Sequence, residues 1–99
     1  MIKHIVLLKI KPDIFNDRIE EMYKNLFQLK DSISNILSIS GGKNDSPESK
    51  NKDFSESFVV EFENKEARNM YLNHQEHKKL AETYILPIID DIIVFDYEY

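Results

Sequence analysis

Residues 2–11, IKHIVLLKIK, place mostly apolar side chains at every second position on one face and leave the other face partly apolar too. A period of two predicts a strand. Ile2, His4, Val6, Leu8 and Ile10 share one face, and Lys3, Ile5, Leu7, Lys9 and Lys11 share the other. Pro12 and Asp13 end it. The period then changes. Ile19, Met22, Tyr23, Leu26, Leu29 and Ile33 recur at helical spacing, which predicts a helix with one apolar stripe. Asn16 is placed to cap it, and Asp17 and Glu20 suit the positive end of its dipole. NILSISGG predicts a short second strand ended by a bulge or tight bend at Gly41 and Gly42. The polar run KNDSPESKNKD predicts an exposed loop.

FSESFVVEFE reads as the third strand. Phe54, Glu56, Phe58, Val60 and Phe62 lie on one face, and Ser55, Ser57, Val59 and Glu61 on the other. Asn64 caps a second helix, with Ala67, Met70, Tyr71 and His74 on one side. QEHKKLAETYIL continues helically, with His77, Leu80, Ala81, Tyr84 and Ile85 inward, until Pro87 breaks it. DDIIVFDYEY is the last strand. Ile92, Val94 and Asp96 share one face; Ile93, Phe95 and Tyr97 share the other.

The order β-α-β-β-α-(α)-β predicts an α+β fold of ferredoxin-like type. It has a four-stranded antiparallel sheet in the order 4-1-3-2, with the helices on one side. Ile5, Leu7, Val59, Ile93, Phe95 and Tyr97 then make the uncovered side apolar. A patch of that size marks an interaction surface. The economical partner is a second copy packed face to face, giving a homodimeric alpha-beta barrel.

Composition narrows the function. The 99 residues amount to a single domain, 1–99, with a small core that a dimer would supplement. There is no cysteine, so no disulfide and no thiol nucleophile. The first residues alternate with lysine and carry no cleavage signal, and no apolar run is long enough to span a bilayer. A soluble, cytoplasmic protein with no membrane partner is expected. The net charge of −5 argues against nucleic acid as a partner. SGGKND lacks the spacing of a phosphate loop, and no G-x-S-x-G elbow occurs. No cofactor is expected.

IKHIVLLKIK, FVVEFEN, YLNHQEHKKL and VFDYE, in this order and at this length, resemble the stress-responsive A/B barrel (Dabb) family across essentially the whole chain. The resemblance implies the same dimeric ferredoxin-like barrel. The family is functionally mixed. One branch includes a plant polyketide cyclase that works without a cofactor, in a pocket between sheet and helices. In that branch the tyrosine and second histidine of a Y-x-x-H-x-x-H segment do the acid–base work. Tyr71 and His77 match them, and His4 matches a pocket histidine of the first strand. The chain departs from that branch at three places. Gln75 stands where the family commonly has proline, Glu56 replaces a histidine, and Leu26 replaces a tyrosine.

The histidines also carry chemistry of their own. His77 shares the inward side of its helix, where an imidazole can act as base or acid near neutrality. Its plain alternative is a ring bonded to a backbone carbonyl. Tyr71 precedes it by six residues, so the two meet only if the chain bends between Asn73 and Gln75. His74 and His77 are spaced for one helix face, but zinc needs a third ligand and none follows from spacing. No metal is expected, and His74 is read as a helix C-terminal residue near the last carbonyls. Antiparallel pairing of the first and last strands would bring His4 to Asp96.

A small apolar or aromatic ligand is the expected occupant of a pocket between sheet and helices. Its strand walls would be Val6, Leu8, Phe58, Ile92 and Val94. Its helix walls would be Met22, Tyr23, Leu26 and Leu80. If the protein is catalytic, cofactor-free proton transfer of cyclase or isomerase type is the first expectation, with Tyr71 and His77 acting and His4 and Asp96 supporting. A monooxygenase-like reaction without cofactor is a more distant analogy.

Overall fold

The computed structural model describes residues 1–99. Strand β1 (Ile2–Ile10) runs through the middle of a four-stranded antiparallel sheet. Its neighbours are β3 (Glu56–Phe62) and β4 (Ile89–Glu98), and β2 (Ser38–Lys43) pairs with β3 at the far edge. The resulting order, β2-β3-β1-β4, is the expected ferredoxin-like one. Ile2 lies opposite Phe62 on one side and Glu98 on the other, and Val6 lies between Phe58 and Val94. Because side chains alternate, this register sends Ile2, Val6, Leu8, Phe58, Val60 and Phe62 to one common face, where all are buried.

Helix α1 (Asn16–Ser32) covers that face with Met22, Leu26 and Leu29. The loop after it adds Ile33 and Ile36. Helix α2 (Lys65–Asn73), helix α3 (Gln75–Leu80), a π-helical turn (Ala81–Ile85) and a 3-10 turn (Leu86–Ile88) complete the layer. They supply Tyr71, Leu80, Ile85 and Ile88 to the core. Pro87 falls inside the final 3-10 turn, consistent with its role as a helix breaker. No helix is long and apolar enough to cross a membrane.

Several local expectations change. Asn16 does not cap α1. It is the first helical residue, Phe15 occupies the cap position, and the Asn16 amide instead reaches Glu20. Asn64 does cap α2, its side chain accepting from the Ala67 N–H at 2.9 Å. Met70 is 60% exposed rather than inward, while Tyr71 beside it in α2 is buried. Gly41 and Gly42 do not end β2 or form a bulge. Both stay in regular pairing, and neither has positive φ. Gly41 is needed for close approach, since a Cβ there would lie 2.5 Å from the Ser57 carbonyl oxygen and 2.7 Å from Phe58 Cβ.

The opposite face of the sheet carries no helix. Ile93, Phe95 and Tyr97 of β4 are exposed there, with Ile5, Leu7 and Val59 half-buried beside them. The inner face of β4 is also partly open: Ile92 and Val94 remain exposed although they face the helices. That opening is the mouth of the cavity described next.

Candidate functional site

A cavity of about 220 Å³ lies between β1, β3 and β4 below and the α2–α3 segment above. Ten of its twelve lining residues are hydrophobic, among them Val6, Phe58, Leu80, Ile92 and Val94. Tyr71 is one of the ten, and His4 and His77 are the other two. The remaining ligand candidates lie elsewhere. Leu8, Met22 and Leu26 are wholly buried in the core and do not reach the cavity. Tyr23 donates to the Glu56 carboxylate at 3.0 Å, which satisfies one of only two buried polar or charged residues. Burial and that neighbouring carboxylate push the Tyr23 phenol well above its ordinary range. Leu72, Ala81, Ile85 and Leu86 also line the cavity. Leu80 and Ala81 pointed inward by spacing, but Leu72 and Leu86 gave no periodic signal.

The bend between Tyr71 and His77 is real, and Gln75 does not prevent it. His74 breaks the helix, with extended backbone at φ −72° and ψ 137°. It ends α2 and begins α3, its ring Nδ1 accepting the Glu76 N–H at 3.0 Å. A histidine therefore does the work of an N-cap. His74 is the C-cap residue of α2 as expected, its backbone N–H donating to the Tyr71 carbonyl at 3.1 Å, but its side chain serves the helix that follows. The bend also brings the Tyr71 and His77 rings together, with centroids 4.4 Å apart. Phe62 supports Tyr71 from below at 5.1 Å, and His4 meets its edge at 5.8 Å.

Hydrogen-bond partners fix which nitrogen of each ring carries a proton. The His77 Nδ1 lies 3.2 Å from the Leu72 carbonyl, which can only accept. Nδ1–H therefore donates, and in the neutral ring Nε2 is bare. His4 follows the same logic. Its Nδ1 is 2.7 Å from Asp96 Oδ1, across the register that pairs His4 with Asp96. The carboxylate accepts, so in the neutral ring the His4 Nε2 is bare as well. His74 has the opposite arrangement, since its Nδ1 is the acceptor. No buried side-chain nitrogen or oxygen is both sealed and unpaired. The bare nitrogens and the Tyr71 hydroxyl are thus reached from the cavity rather than stranded in the core.

The electrostatics favour neutral groups. Burial lowers the His77 pKa below its ordinary 6.5, with the Leu72 carbonyl opposing and His4 adding to the depression. Burial alone raises the Tyr71 phenol above its ordinary value. At neutral pH the cavity presents a neutral Tyr71 hydroxyl and a neutral His77 imidazole. No group of three metal-ligating side chains forms anywhere in the chain.

The His77 shift has a stability consequence. Below pH 6.5 the unfolded chain takes up a proton that the folded ring resists, so stability falls as pH drops from about 6.5 toward the lowered folded value. Above 6.5 the contribution is complete. Urea midpoints measured at pH 7.5 and pH 5.5 are expected to differ less for His77→Gln than for the parent chain. Equal pH dependence in the two proteins would show that the ring is not held neutral.

Comparison with known proteins places this geometry. The family model described as the stress responsive A/B barrel domain matches residues 2–99. The chain is 31% identical over 97 residues to the stress-response A/B barrel domain-containing protein HS1 of Arabidopsis thaliana, covering 98% of this chain and 88% of that one. It is 26% identical over 96 residues to olivetolic acid cyclase of Cannabis sativa, covering 97% and 94%. A crystal structure described as a dimeric ferredoxin-like protein of unknown function, from Jannaschia sp., superposes with a TM-score of 0.85 at 24% identity, covering 99% and 98%.

Proposed function

This chain belongs to the stress-responsive A/B barrel domain family, and from that premise we propose that it binds a small, neutral, ring-bearing carbonyl compound in the cavity between sheet and helices. The observation that carries this reading is the convergence of Tyr71, His77 and His4 on an otherwise apolar cavity. No cation or carboxylate lines that cavity, which disfavours phosphorylated or carboxylated ligands. Its size supports a single substituted ring, since a 150 Å³ apolar cavity is about what benzene needs.

The same groups support cofactor-free proton transfer. The Tyr71 hydroxyl would donate to the ligand's carbonyl oxygen and polarise it. The bare Nε2 of His77 would take a proton from the carbon beside that carbonyl. His4 would accept from a ligand hydroxyl or hold a water. The relationship to olivetolic acid cyclase favours a cyclisation or isomerisation of this kind over oxygen chemistry. The working form is a homodimer joined through the uncovered sheet face, with one cavity in each copy.

Calorimetric titration with 4-hydroxyacetophenone, which carries one ring, one carbonyl and one hydroxyl, tests the binding reading. Saturable binding with one site per chain is expected. Heats no larger than dilution up to millimolar ligand would overturn it.

A further inference from the structure

Arg68 lies outside the cavity and outside the tyrosine–histidine segment, yet it holds the carboxylate that orients His4. Its Nη1 donates to Asp96 Oδ2 at 2.9 Å, while Oδ1 of the same carboxylate takes the His4 Nδ1–H at 2.7 Å. The guanidinium is fixed on its other side too, Nε donating to Asn69 Oδ1 at 3.0 Å. A neighbouring pair, Lys65 with Glu98 at 3.7 Å, is exposed at both ends and contributes little. Arg68 and Asp96 differ from it, since each side chain is only about one-fifth exposed, 21% and 22%.

We infer that Arg68 is a positioning residue that acts through Asp96 to keep the His4 Nε2 bare and turned to the cavity. This rests on the proposed ligand site only for its purpose, not for its geometry. Asp96 stands near the end of β4, an edge strand. Alone, its carboxylate could swing to solvent, and the ring would lose the acceptor that selects Nδ1–H. If it stayed, an unbalanced negative charge 2.7 Å from the ring would draw a second proton to it. Either outcome removes the acceptor at Nε2. Arg68 prevents both: it occupies Oδ2, aims Oδ1 at the ring and offsets the charge. The other titratable groups around the ring do not substitute for it. Tyr71 from α2 and His77 from α3 offer the ring no charge while neutral. A lysine could supply charge at position 68 but not the flat, directional fork of a guanidinium.

The test is nitrogen NMR of the imidazole rings at pH 7 in the full chain, with Arg68→Met and Arg68→Lys. In the parent chain, His4 is expected to show a protonated Nδ1 and an unprotonated Nε2. In Arg68→Met, the His4 Nε2 signal is expected to move toward the protonated position while His77 stays unchanged. Arg68→Lys is expected to restore part of the shift. A merely structural Arg68 would lower the melting temperature of the Met variant and leave the His4 nitrogens where they were, which would overturn the inference. So would a parent His4 protonated at Nε2. If Arg68→Met does not fold, the Lys variant carries the test: a His4 Nε2 signal moved part of the way toward the protonated position is expected, and a signal identical to the parent's would overturn the inference. Failure of ligand binding leaves these signals unaffected, so the two ideas fail separately.

Discussion

Phe95→Asp is expected to convert the protein from dimer to monomer. Phe95 is 61% exposed on the uncovered sheet face, between Ile93 and Tyr97. Directly across the sheet from it stands Ile5, which is paired on its other side with Val59. In a face-to-face dimer these side chains interdigitate, and burying each large one contributes about 1.5–3 kcal/mol. An aspartate would add an unpaired buried charge at a further cost of about 3–5 kcal/mol, incurred in both copies. At 1.4 kcal/mol per tenfold, dissociation should rise by more than about a hundredfold. Light scattering at micromolar concentration should give about twice the chain mass of 11.7 kDa for the parent and a single mass for the variant. A parent that is already monomeric would remove the dimer from the reading. The variant should also unfold more easily, because a domain of this size buries little of its own surface.

Tyr71→Phe is expected to separate function from stability. The Tyr71 ring is 1% exposed and packs on Phe62 and His77, and phenylalanine keeps those contacts. Tyr71 lines the cavity and its hydroxyl makes no hydrogen bond within the chain, so its loss should leave the melting temperature nearly unchanged. Binding is another matter. A ligand carbonyl enclosed without its donor loses about 1–3 kcal/mol, so affinity should fall roughly 5- to 150-fold. If the chain turns a substrate over, loss of a positioned proton donor should cost about 10²–10⁴ in rate. Tyr71→Ala should instead destabilise the fold by about 3–5 kcal/mol, because the core loses a large ring. A Tyr71→Phe protein that binds like the parent would show that the hydroxyl does not face the ligand.

The sheet was legible in the sequence because its strands alternate. The strand pattern of residues 2–10 and antiparallel pairing with the last strand bring His4 to Asp96. The second apolar face of β4 likewise predicted an uncovered surface. Helix boundaries were less legible. Asn16 looks like a cap, but the chain enters α1 one residue earlier, since Phe15 already has cap-like extended backbone. The glycines at 41 and 42 suggested a bend, whereas Gly41 serves a tight approach to β3 that only three-dimensional packing reveals.

The site was half legible. Tyr71 and His77 emerged from the resemblance, not from spacing, which made them look unable to meet. The missing element was His74, whose side chain caps α3 and so permits the bend without proline. Leu8, Met22 and Leu26 belong to the same apolar face as Val6 and Phe58, and periodicity cannot separate a filled core from an open one. The difference lies in the helix layer, where α1 packs tightly over one part of the sheet while the α2–α3 segment leaves space beside β4. Arg68 was invisible because it acts at one remove, through a carboxylate 28 residues away in sequence.

The central claim is that Tyr71, His77 and His4 face a ligand together. A crystal structure of the protein with 4-hydroxyacetophenone tests it most directly. The expected result is one molecule in the cavity of each copy, its carbonyl oxygen within hydrogen-bond reach of the Tyr71 hydroxyl and its hydroxyl donating to a bare imidazole nitrogen. A cavity that stays empty at saturating ligand, or a ligand seated only on the outer sheet face beside Ile93 and Phe95, would contradict it.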